Sequence, residues 1–386
     1  MRFSPLAPGR AVAARLNFSG KLVLLGIIFT VPLVFALYAN YSKQTEDIEF
    51  SLRERDGVLL VDAARRILQP LQLHRGTVQL ALNGDSAAAA RLPEATARVD
   101  MSFDEIGKID DAFGAEFDSH QALKDLQAQW ENLKSRSGNV SARESFDEHT
   151  ELVGNLLAFI AMAADQSNLT LDPDMDTYYT MDTVTHRIPM VAESVAKMRG
   201  LSAGIANRKA ITTEERVQVS VILQTFVDNF LGVQDDLTKA MKATARLHAQ
   251  LDGPIETLQN DGAALNGAVR EKILDASTID VNGQEIFSLG TKAVDAAFAL
   301  YDTASPALAD LLDVRISKLR HARTQQLVIT VVAYLLVLYL FLAVRSLIVE
   351  GMHNLTDGAA RIAAGDFSQE IPVNSRDDVG LSLIHI

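Results

Sequence analysis

Two uncharged, apolar stretches of equal length decide the fold: LVLLGIIFTVPLVFALYANYS, from Leu22 to Ser42, and TQQLVITVVAYLLVLYLFLAV, from Thr324 to Val344. Each has twenty-one residues. This is about the number that an α-helix needs to cross the roughly 30 Å hydrocarbon core of a bilayer. The sequence therefore predicts two membrane-spanning helices with a long segment between them.

The first stretch is either an uncleaved anchor or a cleavable secretion signal, because four basic residues and no acidic ones precede it. Its exit, FALYANYS, lacks a well-placed pair of small residues for cleavage, and this favours the anchor. Cationic flanks resist translocation, so we expect residues 1–21 in the cytoplasm and residues 43–323 outside. Lys318, Arg320 and Arg323 oppose this orientation, but a long translocated domain weakens the charge rule at its far end.

The composition excludes several classes of function. The 386 residues carry a net charge of −13, and the acidic excess lies between the two apolar stretches, so this segment offers no basic face for nucleic acid. The chain has no cysteine, which removes disulfides, thiolate metal sites and cysteine nucleophiles. The histidines show no metal-ligand spacing, and common nucleotide-binding and hydrolase motifs are missing. We therefore expect no catalytic residue, no metal and no cofactor.

Apolar residues in the outer segment recur at intervals of three and four, the period of an α-helix. Each series places one apolar stripe on a helix, and such stripes are buried by packing helix against helix. The sequence thus predicts an all-α fold with a long helical bundle, either one bundle of double length or two stacked modules. The stripes are Leu123, Leu126, Trp130 and Leu133; Val184, Ile188, Val191, Val195 and Met198; Leu223, Phe226, Phe230, Val233 and Leu237; and Val294, Ala297, Tyr301, Ala304, Leu308 and Leu311.

Local signals predict where the helices begin and end. Thr212 and Glu215 form a T-x-x-E capping box at a helix start. The pair Gly253-Pro254 is expected to end that helix, and STIDVNGQEIFSLG, residues 277–290, is the best candidate for a loop. One helix is then expected to run from about Thr291 through the second apolar stretch, either to carry movement inward or to serve as a simple stalk.

The most distinctive outer stretch is SNLTLDPDMDTYYTMD, residues 167–182. Asp172 suits a helix N-cap, Pro173 suits the first helical position, and further aspartates suit the first turn of the helix. A calcium loop fits poorly, because the glycine and the terminal acid of an EF-hand loop are missing. Tyr178, Tyr179 and Arg187 on this helix are either ligand-binding residues in a pocket between helices or ordinary half-buried packing residues.

The segment after the second apolar stretch contains a short coiled-coil seam. Ile348, Leu355 and Ile362 recur every seven residues, with Met352 and Ala359 between them. Gly365-Asp366 then interrupts the helix, and a polar connector follows. A parallel seam needs a second helix, so the pattern predicts a homodimer.

Here the sequence resembles the HAMP domain, the linker of bacterial transmembrane receptors. The resemblance rests on the heptad helix, on AAGDF at residues 363–367, and on DDVG at 377–380, which is similar to the family's D-E-x-G. It assigns linker positions to Gly365, Asp377, Asp378 and Gly380. Gly351 replaces a usual proline, and Asp378 replaces the glutamate. The outer LDPDMDTYY also resembles a stretch in the helical sensor regions of some methyl-accepting chemotaxis receptors and related kinases.

The last six residues, LSLIHI, do not continue the linker pattern after Gly380. They correspond to CTG TCT CTT ATA CAC ATC, which resembles the mosaic-end adapter of transposon-based sequencing libraries. The expectation is that native sequence stops at Gly380 and that an output domain follows it in the gene.

The resemblance implies a chemoreceptor of the bacterial inner membrane that senses a small molecule or a loaded periplasmic binding protein. Its output domain would dock the chemotaxis kinase and its coupling protein. The alternatives are the front end of a histidine kinase or diguanylate cyclase, and a structural anchor without a ligand. The predicted parts are a tail at 1–21, membrane helices at 22–42 and 324–344, a periplasmic sensor domain at 43–323, a partial HAMP linker at 345–380 and adapter sequence at 381–386.

Overall fold

The computed structural model describes residues 6–136, 140–366 and 368. These residues form helices joined by short turns, and no strand occurs among them, so the all-α prediction is confirmed. The helices are α1 (Ala7–Ala14), α2 (Phe18–Leu82), α3 (Ser86–Phe117), α4 (His120–Arg136), α5 (Ala142–Gln166), α6 (Met175–Asp182), α7 (Ile188–Arg208), α8 (Thr213–Ala243), α9 (His248–Val269) and α10 (Gly283–Ala363).

The chain divides into two compact units. The first contains residues 1–48 and 318–386, and the second contains residues 49–317. The two longest helices, α2 with 65 residues and α10 with 81, each contribute to both units.

The first unit contains the two apolar stretches. α2 and α10 each hold an 18-residue window of high mean hydropathy, 2.5 and 2.9, and none of either window is buried within the protein. Phe29 is 75% exposed and Tyr339 is 69% exposed. Water would penalise such a surface, whereas a bilayer would cover it, so both helices fit the predicted membrane spans.

The second unit is held together by one connected hydrophobic core. Every residue of the four predicted stripes is buried, which confirms the helical periodicity. Burying a large aliphatic or aromatic side chain contributes roughly 1.5–3 kcal/mol, and a chain without cysteine depends on this term. Trp130, the single tryptophan of the sequence, is only 1% exposed on α4.

Within this unit α2 and α10 run antiparallel. Arg65 Nη2 lies 2.8 Å from Asp302 Oδ1, and Gln69 Nε2 donates to Asp295 at 3.3 Å. Rising numbers on α2 therefore meet falling numbers on α10. We call the end of the unit near residues 49 and 317 the base, and the end near residues 82 and 283 the top.

Helix ends test the local signals directly. The Thr212–Glu215 capping box is present with both of its hydrogen bonds, at 3.0 and 3.1 Å. The expected stop at Gly253-Pro254 is wrong, because α8 ends at Ala243 and Pro254 lies inside α9. α10 begins at Gly283, so the predicted loop is shorter and the helix longer than expected.

Candidate functional site

The stretch from Ser167 to Asp182 folds against α2 at the base. Asn168 has a φ of 68° in the left-handed region, and a 3₁₀ turn at Leu169–Leu171 follows it. Ser167 and Leu169 are fully buried. A Cβ atom at Gly57 of α2 would lie 2.0 Å from Ser167 Oγ, so only glycine at position 57 allows this close approach.

Asp172 does not cap the helix, contrary to the sequence prediction. α6 begins at Met175 with Asp174 at the N-cap position. The Asp172 carboxylate accepts hydrogen bonds from the backbone N–H of Asp174 at 2.9 Å, from Thr177 Oγ1 at 2.6 Å and from Arg315 Nη1 at 2.8 Å. The Asp172 carboxylate, which the sequence pattern predicted to cap the helix, thus binds the Arg315 guanidinium of α10.

Arg315 joins two buried carboxylates into a cluster. Its guanidinium pairs with Glu54 of α2 and Asp172, and Asp174 Oδ2 lies 3.3 Å away. The side chains of Glu54 and Asp172 are 0% exposed, and that of Arg315 is 11% exposed. One guanidinium therefore serves two fully buried acids.

This charge imbalance affects protonation. Burial, together with the negative charge of Asp172, raises the pKa of Glu54 to about 8, although Arg315 acts in the opposite direction. Glu54 Oε1 and Asp172 Oδ2 have no hydrogen-bond partner among the described residues. A proton held by Glu54 would remove the repulsion between the two acids. The cluster thus ties together α2, α10 and the turn before α6 with a bond pattern that depends on pH.

The predicted ligand residues Tyr178, Tyr179 and Arg187 lie on α6 and on the π-helical turn that follows it, and the latter two contact α8. Tyr178 is 41% exposed, and its ring centroid is 5.2 Å from that of Tyr179. Lys239 Nζ lies 4.6 Å from the centroid of the Tyr179 ring. Arg187 Nε is 3.1 Å from Asp182 and 3.3 Å from Asp236. Their role in ligand binding stays a prediction.

Sequence reasoning missed a buried histidine pair. His74 Nδ1 of α2 lies 2.8 Å from His149 Nε2 of α5, and His149 Nδ1 lies 2.6 Å from the carbonyl oxygen of Ser145. Burial lowers the pKa of His74 to about 4 and that of His149 to about 3, so both are neutral packing residues at pH 7. No group of three potential metal ligands occurs in the described part of the chain.

The seam residues lie on the last turns of α10. Ile348, Leu355 and Ile362 are partly buried, whereas Met352 and Ala359 are exposed. The helix ends at Ala363, and Gly365 follows with a φ of 79°. Asp366 N donates to Arg361 O and Gly365 N to Ile362 O, the two bonds of a Schellman cap. The predicted interruption is thereby confirmed; Asp377, Asp378, Gly380 and residues 381–386 lie outside the described residues.

Comparison with known proteins gives two similarities. Residues 343–381 match the HAMP domain family. A solved structure titled "Structure of the NasR transcription antiterminator" is similar at 16% sequence identity and a TM-score of 0.55, covering 76% of this chain and 78% of that one. At this identity the likeness concerns the fold alone. No curated protein matches the chain.

The HAMP match and the two apolar helices define the class of protein. HAMP domains occur in membrane receptors, and here the matched residues begin at the end of the second apolar stretch. The chain has the organisation of a signal-transducing transmembrane sensor with a HAMP linker.

Proposed function

We propose that the chain is the sensory and membrane part of a methyl-accepting chemotaxis receptor. The observation that carries the proposal is the continuity of α10. This helix runs without a break from Gly283 to Ala363, from the core of the second unit through an apolar window into the residues that match HAMP. A packed helix that shifts or rotates as a rigid element can pass a signal from one end to the other.

The proposed topology places the second unit in the periplasm and both chain ends in the cytoplasm. The natural absence of cysteine allows a direct test. Ser277→Cys, on the exposed turn before α10, should react with a membrane-impermeant maleimide in intact cells whose outer membrane has been opened. Ala11→Cys, exposed on α1, is the matched control and should react only after the inner membrane is permeabilised. Reversed labelling would refute the topology.

The receptor is proposed to act as a homodimer through the linker seam. Cβ atoms at seam positions of parallel helices face each other, so Ile362→Cys should form disulfide-linked dimers under mild oxidation in membranes. Ala360→Cys lies off the seam and is exposed, which makes it the control. Equal cross-linking at both positions would contradict a specific seam.

The output is proposed to be a helical signalling hairpin that docks the chemotaxis kinase and its coupling protein. Long-read sequencing of the source DNA past the codon for Gly380 tests this. A reading frame that continues into heptads and a helical hairpin would support chemotaxis. A frame that continues into a histidine kinase or diguanylate cyclase domain would overturn the chemotaxis assignment and make the protein an enzyme with the same sensor.

A further inference from the structure

A cavity of about 230 Å³ lies near the top of the second unit. It is bounded by α2, α5, α7 and α10. The ligand residues predicted from the sequence, Tyr178, Tyr179 and Arg187, do not line it. Its wall contains small residues, amide side chains, two phenylalanines and three arginines, of which Arg208 pairs with Glu215. The residues that matter here are Gly76, Arg75, Phe146, Arg199, Gly200 and Phe287.

The first arginine in this wall is neutralised. Arg75 Nη1 lies 2.7 Å from Glu193 Oε1, and Arg75 Nη2 lies 3.1 Å from Glu193 Oε2. Gln72 Nε2 donates to the same carboxylate at 2.9 Å, and Lys197 Nζ is 3.4 Å from it. Glu193 is thus fully engaged with its own neighbours.

Arg199 is different, because it is buried without an ion-pair contact in the described part of the chain, and the Asp295 and Glu193 carboxylates favour its charge only from a greater distance. It is 5% exposed, and none of the described carboxylates lies within ion-pair distance of it. Its contacts are a long hydrogen bond of 3.4 Å to Thr291 Oγ1 and the face of the Phe287 ring, 4.9 Å from the guanidinium carbon. Burial and the nearby charge of Arg75 lower its pKa to about 10, which still leaves it charged at pH 7.

An uncompensated buried guanidinium is costly, since desolvation removes the water that would stabilise its charge. A bound anion would replace that water and could accept two parallel hydrogen bonds from the guanidinium. Of the two described carboxylates near this guanidinium, that of Glu193 binds Arg75 and that of Asp295 accepts a hydrogen bond from Gln69. The Arg199 guanidinium, which has no ion-pair contact among the described residues, is therefore available to bind an anion in the cavity.

The size and the lining favour an organic anion over an inorganic one. The volume is several times the roughly 30 Å³ that one water occupies, yet it falls below the roughly 300–1,000 Å³ of pockets for drug-sized ligands. Phe146 and Phe287 supply apolar surface for a short hydrocarbon portion. A Cβ atom at Gly76 would meet Arg199 Nη2 at 4.0 Å, so α2 leaves room directly beside the guanidinium.

From this geometry we propose that the cavity is a binding site for a small organic carboxylate, whose carboxylate group pairs with Arg199 and whose hydrocarbon portion packs between Phe146 and Phe287. The site would supply the ligand for the proposed receptor function, on which this inference rests. Organic carboxylates and inorganic oxyanions could both accept hydrogen bonds from Arg199, so the test compares the two kinds of ligand.

The test uses the full chain purified in detergent, with Trp130 fluorescence as the reporter of unfolding. Acetate, propionate, benzoate and succinate are compared with phosphate, sulfate and nitrate at constant ionic strength. At a hundredfold excess over Kd, a bound carboxylate should raise Tm by about 5–10 °C. Arg199→Gln should abolish the rise, whereas Arg216→Gln, which removes an exposed arginine of α8, should retain it.

A second variant tests the site in case Arg199→Gln fails to fold. Gly76→Leu keeps Arg199 but fills the cavity beside it, and it should also abolish the rise. No rise with any carboxylate, a rise with inorganic anions alone, or a rise that survives both Arg199→Gln and Gly76→Leu would each overturn the inference. The receptor proposal is tested separately by cysteine labelling. If the chain shows the proposed topology but no carboxylate raises its Tm, only the ligand site is refuted.

Discussion

Replacing Glu54 with glutamine should remove a loss of stability that the parent chain shows as the pH rises. The folded-state pKa of Glu54 is about 8, against roughly 4.5 in an unfolded chain. Between these values the folded chain holds a proton that the unfolded chain has released. The contribution of Glu54 to stability is therefore fully present below pH 4.5 and is lost as the pH rises through 8.

The magnitude follows from proton linkage. One proton contributes at most about 1.4 kcal/mol per pH unit. Integrating from pH 6.5 to pH 9, the parent chain should lose about 2 kcal/mol through Glu54, because the slope flattens once the folded group ionises. Glutamine resembles the protonated acid in shape and carries no charge, so the stability of Glu54→Gln should match that of the parent below pH 4.5. It should exceed the parent's stability by about 2.7 kcal/mol at pH 6.5 and by about 4.7 kcal/mol at pH 9.

The assay is chemical denaturation of the full chain in detergent, followed by Trp130 fluorescence at both pH values. Glu49→Gln is the matched control, because Glu49 is exposed on the same helix and its neutralisation should leave the pH slope unchanged. The reasoning would be refuted if Glu54→Gln kept the parent's slope, since the two buried acids would then not share one guanidinium in the way the structure shows.

Three further changes test other parts of the molecule. Arg315→Met leaves two buried acids without a cation and should cost about 3–5 kcal/mol of stability, part of which Glu54→Gln should recover; an unchanged denaturation midpoint would contradict the cluster. In the Glu54→Gln background, where the opposing titration of Glu54 is removed, the two buried neutral histidines should contribute a loss of about 3 kcal/mol between pH 6.5 and 5, because they become protonated in the unfolded state and stay neutral in the folded state. His149→Gln should halve that loss, and an unaltered slope would argue against the pair. Ile362→Asp should break the linker seam and lock the output in one state, and normal signalling by this variant in the complete receptor would count against a dimeric linker.

The predictable parts of the fold are those that depend on the spacing of apolar residues along a single helix. The stripes around Trp130, Val191, Phe230 and Tyr301 each occupy one helix, and a spacing of three and four residues specifies a buried face whatever the partner helix is. The same spacing also indicates that one histidine is buried. His149 falls in step with Phe146 and Val153, so its burial, although not its pairing with His74, could have been read from the sequence.

The parts that were not predictable depend on side chains brought together from distant positions. Asp172 has the right neighbours for an N-cap, but 143 residues separate it from the guanidinium that binds it. Pro254 resembles a helix stop, yet it lies in the seventh position of α9, where packing of Leu251 and Leu258 into the core outweighs the lost backbone bond. Arg199 resembles any surface arginine until the fold buries it beside a cavity.

The carboxylate–arginine cluster also bears on how the two long helices keep their register. Both helices bury apolar residues in the core, and apolar packing tolerates alternative alignments better than directional hydrogen bonds do. A shift of α10 by one turn, about 5.4 Å, would carry the Arg315 guanidinium beyond hydrogen-bond distance of Glu54 and Asp172 together. The cluster therefore opposes axial movement of α10 against α2, and it opposes it most strongly when both acids are ionised. Since α10 continues into the HAMP-matching residues, any signal that moves this helix along its axis must first break or rearrange these bonds.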